Sequence, residues 1–186
     1  MTPTTSALLT DPRPIETIGD AFANVWQLGY VTNDLERGLE LLAERFGVTH
    51  ALEAPTDGFV VRNADDEVVP WQTRIAMAAK GGLILELIEP LGGEVGYYTD
   101  ALPADGSFAV AFHHVAVTVA PGDEQWSRLR DVVDAAGLRF DTWATMAGRV
   151  RLAYVDMRAE LGHWLEFCQL EREDVEFFSG LIADSA

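Results

Sequence analysis

One strand pattern occurs twice in this chain, and each time it carries a polar residue among apolar ones. Val25-Trp26-Gln27-Leu28-Gly29-Tyr30-Val31 holds Gln27, and Phe112-His113-His114-Val115-Ala116-Val117-Thr118-Val119 holds His114. β-Branched and small apolar residues mark the second stretch as a strand, stopped by Pro121 and Gly122. Strict alternation puts His114, Ala116 and Thr118 on one face, and His113 on the other with Val115 and Val117.

The segments downstream of the two strands repeat as well. Asn33 or Asp34 is placed to cap a helix, with Glu36 completing a capping box from Asn33; Leu35, Leu39, Leu42, Ala43 and Phe46 form its stripe, and Gly47 ends it. Asp123 caps the second helix, Trp126, Leu129, Val133 and Ala136 form the stripe, and Gly137 ends it. Strand signals come next at 48–52, 71–79 and 83–89, with a loop or irregular hairpin over 53–70, and in the second half at 138–145, 150–156 and 164–170. The order is β-α-β-β-β, twice. The expected organisation is a flexible leader over 1–21, a first βαβββ module over 22–89, a connector over 90–111, a second module over 112–170 and a helical tail over 171–186. The expected fold class is α+β.

Composition narrows the partners. Thirteen basic against thirty acidic residues leave a net charge of −17, and binding to phosphate backbones needs clustered cations, so nucleic acid is excluded as a partner. No stretch approaches the roughly 18 apolar residues of a membrane span, and the N-terminus lacks the basic start and apolar run of a signal peptide. The single cysteine, Cys168, fits a reducing compartment. These features predict a cytoplasmic protein.

Each module supplies a second polar residue from its last strand: Glu86 in Leu83-Ile84-Leu85-Glu86-Leu87-Ile88 and Glu166 in Trp164-Leu165-Glu166-Phe167. Taken singly, both glutamates read as carboxylates on solvated strand faces, Gln27 as a hydrogen-bonded strand residue and His114 as a satisfied core histidine. Taken as a repeat, two modules related by a pseudo-twofold bring Gln27, Glu86, His114 and Glu166 towards one cavity. A divalent cation there would offset the desolvation of the carboxylates, and one imidazole with three oxygen donors is a reasonable shell for it.

With these residues in place the sequence resembles the vicinal-oxygen-chelate superfamily, which includes glyoxalase I, bleomycin-resistance proteins, extradiol dioxygenases and methylmalonyl-CoA epimerase. The resemblance spans about residues 24–170. It rests on Gln27-Leu-Gly-Tyr-Val-Thr-Asn-Asp34, Glu86-Leu-Ile-Glu-Pro90, Phe-His-His114-Val-Ala-Val and Trp-Leu-Glu166-Phe-Cys-Gln169. It implies paired βαβββ modules in a curved mixed sheet whose cup holds one divalent ion (Zn, Mn, Ni or Fe), with Gln27, Glu86, His114 and Glu166 at the ligand positions. A Gln-Glu-His-Glu set is similar to that of eukaryotic glyoxalase I. It also implies a homodimer.

The activity implied is that of a metal-dependent isomerase or lyase on a small oxygenated metabolite, with the ion as Lewis acid and a metal-bound glutamate, Glu166 ahead of Glu86, as base. The resemblance has limits. Epimerases carry a base on the strand that reads Trp71-Gln-Thr-Arg-Ile-Ala-Met77, where the nearest residues are Thr73 and Arg74. Gln27 replaces one histidine of the two-His, one-carboxylate set of extradiol dioxygenases, which disfavours that chemistry. The alternative is a metal-free binding or sequestering protein of the bleomycin-resistance type, with Trp71, Tyr97, Tyr98, Trp143 and Trp164 around the cup. Tyr97 and Tyr98 are candidates for a lid, and His163 for a supporting role. Arg74 and Arg151 are placed to meet either a substrate carboxylate or the surplus acidic side chains.

Overall fold

The alternation within each strand sorts residues to two covered faces. In a computed structural model, which describes residues 5–48, 50–146 and 149–184, the chain forms one ten-stranded sheet. The first unit contributes β1 (Val25–Thr32), α2 (Leu35–Phe46), β2 (Leu52–Ala54), β5 (Trp71–Lys80) and β6 (Leu83–Gly93). The second contributes β7 (Val110–Thr118), α4 (Asp123–Ala135), β8 (Thr142–Met146), β9 (Val150–Met157) and β10 (His163–Leu170), with the single-turn α5 (Arg158–Leu161) between its last two strands. β1 and β7 pair antiparallel at the centre. Outward from them run β6, β5 and β2 on one side and β10, β9 and β8 on the other. β6 lies parallel to β1 and β10 parallel to β7, so the two βαβββ units obey the same strand order about a pseudo-twofold between β1 and β7.

The region 53–70 resolves into β2, β3 (Phe59–Asn63) and the two-residue β4 (Val68–Val69). β3 leaves its own unit and pairs with β8, the edge of the other. The segment between β2 and β3 therefore joins the two outer edges of the curved sheet.

Both faces are covered, which is why the last strand of each unit is apolar almost throughout. On β10, Leu165 and Phe167 pack outward with Trp126, Leu129 and Val133 of α4, while Trp164, Cys168 and Leu170 turn inward. On β6, Leu87 packs outward beside Leu35 and Leu42 of α2, while Ile84 and Ile88 turn inward. Asp34, not Asn33, caps α2, accepting from the Arg37 N–H at 3.0 Å. Asn33 bonds the connector instead, donating to the Ser107 carbonyl at 2.9 Å. Gly47 ends α2 at φ 66°, a conformation favoured by glycine's missing Cβ.

Four expectations need correction. Residues 1–21 are not a flexible leader where they are described: Thr5–Thr10 form helix α1 and Ile18–Asn24 a 3₁₀ turn. Leu8, Leu9, Ile15 and Ala21 are buried: α1 packs against the C-terminal helix α6 (Arg172–Asp184) on the concave side, where Leu9 meets Phe178 and Ile182, whereas Ile15 and Ala21 pack on the other face with Trp126 and Leu129 of α4. The first four residues of that leader and the last two of the tail lie outside the described residues, as does Thr49 in the strand expected at 48–52, where pairing starts only at Leu52. His113 does not pack beneath the sheet with Val115. The β1–β7 register slips at two places, so that Trp26 and His113 are each an extra residue on their strand, and such a bulge turns a side chain off the alternating pattern. Trp143 is not at the cup; it packs with the α4 side of the sheet and beneath Arg62 and Arg130.

Among the described residues no helix is long and apolar enough to cross a membrane. Leu9 is 3% exposed and shares a cluster with Trp26, Phe178 and Ile182. Leu9→Ala is expected to lower the unfolding free energy by about 2–4 kcal/mol, read as a lower urea midpoint at unchanged slope. A leader free of the body would leave the midpoint where it is.

Candidate metal centre

Four strands at the middle of the sheet deliver one polar side chain each to the concave face. Gln27 on β1, Glu86 on β6, His114 on β7 and Glu166 on β10 are all at least 95% buried. One ligating atom from each of Glu86, His114 and Glu166 lies within 4.8 Å of the others. Gln27 joins them through its amide, whose Nε2 is 3.5 Å from His114 Nε2; half a turn of the amide puts Oε1 in that place. The structure thus brings together all four residues that the sequence singled out.

The register explains the convergence. Gly29 lies beside Glu86 on one neighbouring strand and beside His114 on the other. Ala116 occupies the equivalent place between Glu166 and Gln27. A Cβ on Gly29 would fall 1.8 Å from His114 Cε1, so the imidazole lies flat on bare backbone. Gly29 is a site residue that strand patterning did not identify, although glycine inside an apolar strand is a signal of close approach.

His113 fixes the state of His114. Its Nε2 faces the Tyr97 carbonyl at 3.0 Å, and a carbonyl only accepts, so that nitrogen carries the proton. Burial, reinforced by His114, pushes the His113 pKa down to about 3. His113 is therefore neutral, and its Nδ1 accepts from His114 Nδ1–H at 3.0 Å. His114 Nε2 is left pointing at the carboxylates, 3.1 Å from Glu166 Oε2 and 3.3 Å from Glu86 Oε2. Neither oxygen has a partner in hydrogen-bond geometry.

Three electron-rich atoms meeting without water need a positive charge among them. In the metal-free chain that charge is a proton: burial opposes it, but Glu166 and Glu86 together outweigh burial and hold the His114 pKa up to about 9. Burial raises the Glu86 carboxyl, against the pull of His114. A divalent cation meets the same need, and the donor set fits it: two carboxylate oxygens, an amide oxygen and an imidazole nitrogen whose other N–H is already committed.

The other candidates fall outside the four. Tyr97 and Tyr98 lie on the short helix α3 (Gly96–Thr99) and pack inward instead of forming an open lid. Trp71 Nε1 donates to the Tyr97 hydroxyl at 3.0 Å, and the Tyr98 and Tyr154 hydroxyls are 3.3 Å apart. Trp164 stacks on His113. His163 faces the Trp164 carbonyl and the Phe112 ring. Arg74 is held by Glu36, Glu53 and Glu89, and Arg151 by Asp123, so both meet acidic side chains.

Two measurements test this geometry. Gly29→Ala should cost roughly 10–100-fold in divalent-ion affinity, measured by competition with a chelator. The second measurement concerns pH. A group held above its unfolded value stabilises the fold below that value and loses the contribution on the way up to the folded one. His114 is raised from 6.5 to about 9, so the metal-free chain should lose melting temperature as pH rises from about 6.5 to about 9; Glu86, raised from 4.5, adds to a decline that starts at lower pH. Saturating Zn²⁺ should flatten that decline, because the ion takes the place of the His114 proton.

No protein-family model matches the sequence, and none of the curated proteins matches it. Among solved structures, methylmalonyl-CoA epimerase from Mycobacterium tuberculosis superposes on 83% of this chain and 92% of its own, with a TM-score of 0.55 at 18% identity. A hypothetical protein from Bacillus halodurans C-125 superposes on 80% of this chain and 94% of its own, with a TM-score of 0.53 and the same 18% identity. At that identity the likeness is one of fold: the chain has the paired βαβββ architecture of the vicinal-oxygen-chelate proteins, with a buried Glu-His-Glu group in its cup.

Proposed function

We propose that this chain is a divalent-metal-dependent isomerase or lyase acting on a small oxygenated compound. The observation that carries the reading is the pair of buried carboxylate oxygens, Glu86 Oε2 and Glu166 Oε2, that converge on His114 Nε2 without hydrogen-bond partners. Gln27, Glu86, His114 and Glu166 would hold the ion. When bound, it supplies Lewis acidity toward a substrate carbonyl or enolate oxygen.

The chain's own residues divide the remaining work. β5 carries no carboxylate along Trp71–Lys80, so proton transfer falls to the glutamates of the centre. Glu166 is assigned the base, ahead of Glu86: both border the cavity, and Glu166 lies opposite Tyr154 in the ladder. Burial keeps the Tyr98 and Tyr154 hydroxyls protonated, so they border the site as neutral groups. The apolar wall excludes water from a carbanion formed beside Glu166.

A metal-free binding protein is the second reading, favoured by the aromatic side chains of the cavity, Trp26, Phe59, Trp71 and Phe178 among them. Elemental analysis separates the two: about one equivalent of Zn, Mn, Ni or Fe per chain is expected, and a metal-free cup that still binds ligand would favour the binder. With a substrate in hand, Glu166→Gln should lower kcat by roughly 10²–10⁴-fold. Retention of both metal content and turnover would remove Glu166 from the role.

A further inference from the structure

The cup contains a cavity of about 380 Å³, near the lower end of the roughly 300–1,000 Å³ typical of ligand pockets. One end is polar, where Gln27, Glu86 and Glu166 border it. Away from that end the wall is apolar: Trp71, Ile75 and Met77 from β5, Leu152 from β9, Phe59 from β3, and Phe177 from α6.

Charge restricts the occupant further. Among the described residues bordering the cavity, Arg149 is the basic one, and its guanidinium is paired with Asp174, itself buried. Glu53, at the rim, is paired with Arg74. At the polar end, two carboxylates and a divalent ion sum to no net charge. An anionic group on the body of the ligand, held away from the ion, would give up water against apolar walls and find no uncommitted cation there.

We propose that this cavity binds a neutral small molecule with an apolar body of about ring size and oxygen atoms at one end only, such as an uncharged vicinal diol, hydroxyketone or dione. Carboxylates, phosphates and phosphate-bearing carriers are rejected. The proposal rests on the reading of Gln27, Glu86, His114 and Glu166 as an ion-binding set.

Calorimetric titration of the full chain tests it. Zn²⁺ is titrated first, which establishes independently whether the centre takes an ion. 4-tert-Butylcatechol and 3,4-dihydroxybenzoate, which share the oxygen pair and differ in the charge of the body, are then compared on the zinc-loaded chain. The neutral probe should bind at least 10-fold more tightly. Phe177 is 48% exposed, so Phe177→Lys adds a cation to the wall without opening the core and should shrink that preference several-fold. Equal or tighter binding of the benzoate to the unaltered chain, or no binding of either probe, overturns the proposal. If Zn²⁺ does not bind, the ion-binding reading fails by itself. The two probes compared on the metal-free chain then decide the wall alone, and loss of the neutral preference there overturns the proposal as well.

Discussion

Two carboxylates and an imidazole meet where they are buried from bulk solvent, and that arrangement is stable only with a positive charge in its midst. The cost of stripping an ionised carboxylate of water is several kcal/mol, and here two such groups converge on one imidazole nitrogen. The lone pair of a neutral His114 Nε2 would add to the repulsion. His113 removes the escape of a tautomer switch, because the Tyr97 carbonyl and the His114 ring occupy its two nitrogens. The fold consequently presents a place shaped for positive charge. On the proposed reading, a metal ion binding there would displace the proton of His114.

That geometry depends on two local departures from regular strand structure. Each central strand carries one extra residue immediately before its buried polar residue: Trp26 before Gln27, and His113 before His114. The bulges bring both neighbours to the concave side, where Trp26 borders the cavity and His113 orients His114. Each strand then places a small residue two positions after its polar one, Gly29 and Ala116, beside the polar residues of adjacent strands. The pseudo-twofold of the fold is therefore repeated in the bulges, the polar residues and the small residues, while the side chains at equivalent positions differ.

The symmetric part of the molecule is the part that was legible in the sequence. Gln27, Glu86, His114 and Glu166 stood out because each interrupts an apolar strand, and because the interruptions recur in the same order in both halves. Period-two alternation sorted Ala116 from Val115 and Val117 correctly, since one register error would have exposed an entire face. The same rule failed at His113, because a bulge depends on how two strands pair and not on either strand alone. The packing of α1 was also hidden: six residues with two leucines carry little periodic signal, and their burial depends on α6 lying across the same cup. Trp143 was misplaced for a related reason, as β8 gains its outer neighbour from the hairpin of the other unit.

The two halves of the candidate function thus have different structural origins. The duplicated strands build the polar end of the cup, and they build it alike. The walls come partly from the same duplicated strands, through Ile75 and Met77 of β5 and Leu152 of β9, and partly from elements that only one unit possesses: the β3–β4 hairpin crosses from the first unit to the edge of the second, and α6 follows the second unit and folds back over the opening. Such additions change the volume and charge of the cavity without touching the positions of the four polar residues. On the proposed reading, Gln27, Glu86, His114 and Glu166 would set what is done to a bound molecule, and Phe59, Trp71, Leu152 and Phe177 would set which molecule enters. Because the hairpin joins both edges of the sheet, a change in its length or apolar character would alter the cavity mouth and the closure of the cup together.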